Sequence, residues 1–145
     1  ALVYLSGGKP TYLAESLRDT LLAKVMIESW NSGASIAGCS AGAMALSSEV
    51  VGFRFSKDNQ VQGLGFVQGI SVLPHYDRYF RFVPDRAIEK LVKDSAHSTL
   101  VGIDELTALV RYGIEEWQVF GKAQVHVLNG KFVQKHSHDE YVNLW

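Results

Sequence analysis

Short apolar runs alternate with helix-like stretches over the first two thirds of the chain. Four continuous apolar runs predict buried strands, at 1–5, 34–38, 70–74 and 99–104. Between them, residues 11–30 carry apolar side chains at helical spacing and predict one helix that ends at Asn31-Ser32-Gly33. Residues 83–96 predict another helix with Pro84 near its start, and the segment after Ser40 is also compatible with a helix. This alternation is typical of an α/β fold, a mostly parallel sheet flanked by helices.

The pattern changes after Thr107 to short runs in which apolar and polar residues alternate. Alternation predicts half-buried antiparallel strands, here at 108–112, 117–120, 124–128 and 131–135. Asn129-Gly130 is a strong signal for a two-residue hairpin turn between the last two. Residues 49–55 read as extended and 57–69 as rich in loops. A length of 145 residues fits one domain, so we expect a single α/β domain over 1–145 that ends in antiparallel hairpin strands.

The first apolar run raises a separate expectation, since it begins at residue 1 with no residues before it. A parallel strand buried on both faces needs neighbouring strands and helix cover, and an uncovered edge invites pairing. We therefore expect either that an N-terminal β/α portion is lacking from this chain or that a homo-oligomer covers the exposed side.

Composition narrows the functional classes. The net charge of −1, from 14 basic and 15 acidic residues, gives no electrostatic reason to expect nucleic acid or an anionic membrane as partner. No apolar run approaches the roughly 20 residues of a membrane span, and the first residues lack a signal-peptide pattern. The single cysteine cannot form an internal disulfide and fits a reducing compartment.

The pentapeptide Gly38-Cys39-Ser40-Ala41-Gly42 matches G-x-S-x-G and lies between a predicted strand and a predicted helix. In that context the pattern indicates a nucleophile elbow, a tight turn in which the central residue is strained and its neighbours must be small. The central residue is Ser40, which we predict to be the nucleophile. Cys39 comes one residue early and is expected to point into the fold as a small buried side chain. The alternative is that small residues merely let a helix approach a strand.

A nucleophilic serine needs a base. His75 follows the strand 70–74, and Asp104 and Glu105 end the strand 99–104, so three strand ends deliver a serine, a histidine and an acid to one edge of the predicted sheet. The order serine, histidine, acid differs from that of the α/β-hydrolases. The other histidines are weaker candidates: His97 reads as a helix-end residue, His126 as a strand residue, and His136 and His138 as part of a solvated tail and not as metal ligands.

Four motifs in this order resemble the serine peptidase family of dipeptidase E and cyanophycinase: SGG after a strand, AGCSAGAM, GLGF followed by VLPHYD, and GIDELTAL. The resemblance covers nearly the whole chain, from Leu2 to about Gly130. The resemblance implies a flavodoxin-like, or class I glutamine amidotransferase-like, α/β fold and a cytoplasmic serine hydrolase without metal or organic cofactor. It makes Ser40 the nucleophile, His75 the base and Glu105 the acid, with Asp104 as second choice.

The same resemblance assigns an oxyanion hole to the backbone N–H groups of Ala41 and of the Gly7-Gly8 pair, Gly8 in particular. Family members usually have asparagine where this chain has Lys9, and they carry a β/α portion before SGG that is absent here. Members similar to dipeptidase E favour short peptides with N-terminal aspartate, whose carboxylate calls for an arginine. Arg78, Arg81 and Arg86 are the candidates, with Gly7 and Lys9 also at the substrate mouth.

We therefore predict a serine peptidase that hydrolyses short peptides through a Ser-His-Glu acyl-enzyme mechanism. The alternatives are a cyanophycinase-type or other amide or ester hydrolase, and a catalytically silent family member that acts as a binding or scaffold module.

Overall fold

The structure is a computed structural model that describes residues 1–51, 61–95, 98–114, 116–129 and 132–144. Its helices are α1 (Pro10–Leu17), α2 (Leu21–Asn31), α3 (Ala41–Leu46), α4 (Tyr76–Tyr79) and α5 (Asp85–Asp94). Its strands are β1 (Leu2–Leu5), β2 (Ser35–Gly38), β3 (Glu49–Val50), β4 (Val61–Gln62), β5 (Ile70–Pro74), β6 (Thr99–Ile103), β7 (Thr107–Arg111), β8 (Trp117–Gly121), β9 (Val125–Asn129), β10 (Phe132–His136) and β11 (Tyr141–Val142). The chain groups into two compact units, residues 1–71 and 72–145. The expected single domain over 1–145 stays a prediction.

In unit 1, β1 and β2 form a parallel pair with Leu2 opposite Ser35 and Leu5 opposite Gly38. One buried cluster joins α1 to α3 and β3 through Ala14, Met44, Ala45 and Val50. A second cluster packs Met26 of α2 and Leu46 of α3 around Phe66. These clusters fix α3 against β1 and β2, so the turn from β2 into α3 has a rigid setting.

The single helix predicted over 11–30 is wrong, because the chain breaks between α1 and α2. Asp19 adopts a φ of 61°, a left-handed conformation that interrupts a helix. The Thr20 side chain then accepts a hydrogen bond from the Ala23 N–H at 3.2 Å and caps α2. Helical spacing continues across the break, and the capping chemistry of Asp-Thr is the signal that marks it. Pro10, by contrast, occupies the first turn of α1 as predicted.

Strand β1 is not buried on both faces. Leu2 and Tyr4 are 64% and 57% exposed, whereas Val3 and Leu5 are half-buried and pack against the Phe66 cluster. The reason is that unit 1 covers one side of the β1–β2 pair. The apolar composition of β1 therefore predicted its conformation correctly and its burial incorrectly.

Unit 2 holds a four-stranded sheet in the order β10-β9-β6-β5 and a three-stranded sheet in the order β11-β8-β7. Strand β9 runs antiparallel to both β6 and β10, and β8 runs antiparallel to β7 and β11. The predicted C-terminal hairpin is confirmed by the pairing of Asn129 with Phe132, while Gly130 lies outside the described residues. The core of unit 2 is formed by side chains such as Leu73, Ile88, Val101 and Val125, each at most 7% exposed.

The coarse prediction of an α/β fold is confirmed, and a mostly parallel sheet is not observed. Only β1–β2 is parallel among the strand pairs whose register the described residues give; the others are antiparallel. Residues 136–140, predicted to be a solvated tail, are exposed at four of their five positions. The chain beyond them packs again, since β11 pairs with β8 and Val142 and Leu144 are buried. Strand β4 falls in a stretch predicted to be loop. The predictions for residues 52–60 and for His97 lie outside the described residues.

Within the described ranges, no helix has both the length and the apolar character that a bilayer crossing requires.

Candidate active site

Ser40 lies at a strained turn between β2 and α3. Its backbone has φ 52° and ψ −115°, which non-glycine residues rarely adopt. Such strain persists only where the surroundings impose it, and it is common at catalytic sites. The sharp turn between a strand and a helix is the conformation of a nucleophile elbow.

Two glycines allow this turn, because backbone approaches backbone on both sides of Ser40. A Cβ at Gly38 would lie 2.5 Å from the Gly42 carbonyl carbon. A Cβ at Gly42 would collide with the carbonyl group of Leu5 in β1. The small residues of the motif are therefore required by the packing of β1, β2 and α3, and the same packing imposes the serine conformation.

The other sequence-predicted residues of unit 1 lie close to this turn or at the start of α1. A Cβ at Gly7 would be 3.8 Å from the Ser40 Cβ, so the SGG turn borders the serine. Gly8 has a φ of 135°, which only glycine adopts without strain. Ala41 is the first residue of α3 and is buried. Lys9 is exposed and precedes α1, whose first turn begins with a hydrogen bond from the Leu13 N–H to the Lys9 carbonyl.

Cys39 corrects a prediction, since it is exposed and not buried in the fold. It lies beside Tyr4 on the uncovered side of β1 and β2. A hydrogen bond with the Cys39 thiol raises the pKa of Tyr4. Cys39 directly follows β2, and the face that its side chain reaches is open.

In unit 2, His75 follows β5 directly and also has a left-handed backbone, with φ 53° and ψ 41°. The N–H groups of Arg78 and Tyr79 both donate to the His75 carbonyl at 3.0 Å, which starts the short helix α4. The ring of Tyr79 meets the His75 imidazole edge-on, 5.9 Å between centroids. The imidazole is one third exposed.

The Glu105 carboxylate contacts His75 at this corner. Glu105 Oε1 lies 3.2 Å from His75 Nδ1, a hydrogen bond in the tautomer that places the proton on Nδ1. The second oxygen, Oε2, accepts an ion-pair contact from Arg78 at 3.0 Å. The Glu105 backbone N–H donates to Asp77 Oδ1 at 3.0 Å. Residues 75–78 and Glu105 therefore hold one another through three polar contacts.

Asp104 takes the opposite direction, as expected for neighbours at the end of a strand. Its Oδ1 lies 2.9 Å from His126 Nε2 in a buried pair. The geometry thus favours Glu105 over Asp104 as the partner of His75.

The three arginines proposed for substrate binding have different surroundings. Arg78 contacts Glu105. Arg81 lies over the Phe82 ring at 5.9 Å and lines a cleft of about 440 Å³ in unit 2. Arg86 is exposed in the first turn of α5. Of the unit 2 candidates, the structure brings together His75, Glu105 and Arg78.

The sequence interpretation did not single out Asp77, and it read His126 only as a strand residue. Asp77 holds the Glu105 backbone, and His126 pairs with Asp104. The signal for Asp77 is its position two residues after the base, within the quoted VLPHYD motif. His126 has no local signal, because its partner is 22 residues away in sequence. Within the described ranges, no group of three His, Cys, Asp or Glu side chains converges as a metal site would require.

Comparison with known proteins gives the class of this chain. A family model described as peptidase family S51 matches residues 1–116. The chain belongs to peptidase family S51, and the resemblance found in the sequence motifs is confirmed.

Individual relatives agree with this family. An uncharacterized peptidase of Bacillus subtilis, YgaJ, is 34% identical over 76 residues, which are 52% of this chain and 33% of the relative. The crystal structure of a peptidase from an acI-B1 Actinobacterium matches with a TM-score of 0.84 and 45% identity, covering 98% of this chain and 59% of that one. A putative peptidase E protein from Listeria monocytogenes shares the fold, with a TM-score of 0.51 at 17% identity over 93% of this chain and 58% of that one. The chain thus spans from one third to under two thirds of the length of these relatives.

Proposed function

We propose that this chain carries the catalytic residues of a serine peptidase that hydrolyses short peptides. The observation that carries the proposal is the backbone of Ser40, a strained serine between two obligatory glycines in a chain of family S51. The His75–Glu105 hydrogen bond supplies the second part, a base with an oriented carboxylate. The flavodoxin-like arrangement of the family is part of the same proposal.

The mechanism follows from the chemistry of these groups. Ser40 Oγ attacks the peptide carbonyl, and His75 Nε2 takes its proton and later delivers it to the leaving amine. Glu105 fixes the imidazole tautomer through Nδ1 and stabilises the imidazolium. The N–H groups of Gly8 and Ala41 hold the oxyanion, each worth about 3–4 kcal/mol in the transition state. Water then releases the acyl group from Ser40, so the cycle needs no metal or organic cofactor.

For the substrate, we propose a short peptide with an N-terminal aspartate, read by Arg81 or Arg86 and bordered by Gly7 and Lys9. Arg78 is the weaker candidate of the three arginines, since its guanidinium contacts Glu105. A cyanophycinase-type or other amide or ester hydrolase is the alternative for the same residues. A catalytically silent family member that acts as a binding or scaffold module is the alternative in which the chain catalyses no reaction.

A fluorophosphonate probe tests the proposal, because it labels only a serine that a working base activates. We expect labelling of the wild-type protein and its loss in Ser40→Ala and His75→Ala. Ser16→Ala, an exposed serine of α1, is the matched control and should label as the wild type does. Labelling that persists in Ser40→Ala would contradict the assignment, and a wild-type protein that never labels would favour the silent member.

We also propose that the protein is a cytoplasmic homo-oligomer. The support is the exposed apolar surface of unit 1, where Leu2, Tyr4, Leu21 and Leu22 are all more than half exposed. Light scattering tests it, and a monodisperse monomer would contradict it.

A further inference from the structure

A second histidine–carboxylate pair lies buried in unit 2, one residue along the chain from the catalytic candidates. Asp104 Oδ1 and His126 Nε2 are 2.9 Å apart, and their side chains are 8% and 9% exposed. Asp104 Oδ2 also accepts the N–H of Gln124 at 3.1 Å, and the Asp104 N–H donates to the Gln124 carbonyl at 3.1 Å. Asp104 is thereby fixed to Gln124, which directly precedes β9, through both its backbone and its side chain, and to His126 of β9 through its side chain.

Tyr76 packs on the same pair. Its ring lies 4.5 Å from the His126 ring at an interplanar angle of 31° and stacks on Phe80 on its other side. Gly102 leaves room for it, since a Cβ there would collide with the Tyr76 ring. Burial raises the pKa of Tyr76, and the carboxylates of Asp104 and Asp85 raise it further. The half-buried Tyr76 and the buried Asp104 and His126 therefore form one cluster, which also lines the cleft of about 440 Å³.

This cluster is joined covalently to both members of the partly exposed pair. Tyr76 follows His75, and Asp104 precedes Glu105. His75 and Leu106, the residue after Glu105, both have left-handed backbones, with φ 53° and 57°. Because such backbone is strained, its surroundings must hold it in place. Tyr76, one residue from His75, and Asp104, two residues from Leu106, are both held by contacts with His126 in this cluster.

We propose that Asp104 and His126 are positioning residues that hold Glu105 against His75, an inference that rests on the proposed function. A displacement of about 1 Å at a catalytic group can lower a rate by about 100-fold, so anchors one residue away are sufficient to control the chemistry. A contribution to the stability of the fold does not by itself explain the Asp104–His126 pair. His126 Nδ1 is buried without a hydrogen-bond partner in the described part of the chain, and a buried ion pair often stabilises a fold less than apolar packing does.

Three variants separate positioning from mere packing. Asp104→Asn keeps the side-chain shape but removes the negative charge and replaces one accepting oxygen with an NH2 group, so the N–H groups of His126 and Gln124 can no longer both be accepted. His126→Phe keeps the ring against Tyr76 and removes the donor, whereas His126→Gln restores a donor at a similar reach. We expect kcat on aspartyl p-nitroanilide to fall about 10- to 100-fold in the first two, with KM within about twofold, and to recover to within about threefold in His126→Gln.

The exposed pair of His138 and Asp139 gives the matched control. Their side chains lie 3.5 Å apart and are 56% and 69% exposed. Asp139→Asn and His138→Phe should leave kcat unchanged within about twofold, because exposed pairs contribute little. Thermal unfolding of all variants shows which remain folded; if Asp104→Asn does not fold, the comparison of His126→Phe with His126→Gln replaces it.

NMR of protein labelled with ¹⁵N at the histidine rings separates this inference from the proposed function. The His75 Nδ1–H resonance, assigned by its loss in His75→Gln, reports the hydrogen bond to Glu105 whether or not the protein is active. We expect it in the wild type and its loss or broadening in Asp104→Asn and His126→Phe, with return in His126→Gln. A resonance that persists in folded Asp104→Asn and His126→Phe overturns the positioning role. Loss of the resonance in a protein without any hydrolytic activity supports positioning while the proposed function fails.

Discussion

The turn at Ser40 in unit 1 and the turn at His75 in unit 2 both hold a strained backbone, but they do so by opposite means. Each follows a strand, and each holds a non-glycine residue at positive φ, 52° at Ser40 and 53° at His75. At the elbow the strain is permitted by missing side chains, since Gly38 and Gly42 leave no atom where the backbones meet. At the corner the residue is held by side chains that are present, Glu105, Arg78 and Asp77. The difference teaches that a strained position can be permitted by missing side chains where backbones meet, or held by side-chain contacts between residues 30 apart in sequence.

The largest effect is expected from breaking the corner at its carboxylate. Glu105→Gln keeps the shape of the side chain but no longer favours the imidazole tautomer with its proton on Nδ1. We expect kcat to fall by about 10²- to 10⁴-fold, as when the acid of a serine protease triad is neutralised. Steady-state kinetics on aspartyl p-nitroanilide measures it. Glu116→Gln, exposed in the same unit, is the control, and a loss below tenfold in Glu105→Gln would rule out its role.

Breaking the elbow should affect stability. Gly42→Ala places a methyl group against the carbonyl of Leu5, so β1 and α3 must separate. We expect the free energy of unfolding to fall by about 1–3 kcal/mol, the usual cost of overpacking. Urea denaturation measures the change. Gly7→Ala serves as the control because its Cβ meets only the Ser40 Cβ at 3.8 Å; equal stability of the two variants would show that the elbow is not tightly packed.

Variants of the three arginines distinguish a residue that holds a catalytic group, Arg78, from residues proposed to bind the substrate, Arg81 and Arg86. Arg81→Gln or Arg86→Gln should raise KM for aspartyl p-nitroanilide by about tenfold and leave the leucyl analogue nearly unchanged, since a hydrogen bond to a charged group is worth about 1.5–3 kcal/mol. Arg78→Gln should instead lower kcat on both substrates by about two- to fivefold, because its exposed ion pair with Glu105 is weak. Equal effects of all three variants on both substrates would remove the distinction.

The smallest effect is expected at the neighbour of the nucleophile. Cys39 is exposed beside Tyr4 and takes no part in the proposed chemistry. Cys39→Ser should change kcat less than about threefold and leave fluorophosphonate labelling intact. Inactivation of the variant, together with inhibition of the wild type by a thiol alkylator, would make the cysteine the nucleophile.

Local patterns predicted the elements well and their surroundings poorly. The apolar runs located β1, β2, β5 and β6, and Asn129-Gly130 marked the hairpin whose pairing the structure shows. The break at Asp19 was missed because helical spacing runs across it. The exposure of Leu2 and Tyr4 in β1 was missed because an apolar sequence shows only that a strand can be buried. Whether each of its faces is buried depends on which other elements pack against it.

The sequence by itself indicated the elbow, because the G-x-S-x-G pattern lies between a predicted strand and a predicted helix. The contacts that require its glycines are partly tertiary, since Gly38 meets the backbone of Gly42 but Gly42 meets the carbonyl of Leu5 in β1. The sequence also determined that two carboxylates follow β6, and the alternation of an extended chain required them to point apart. Only the tertiary structure decided which carboxylate meets which histidine. Glu105 reaches His75 and Asp104 reaches His126 because β6 pairs with β9 so that Gly102 faces His126, a register set by contacts across the sheet.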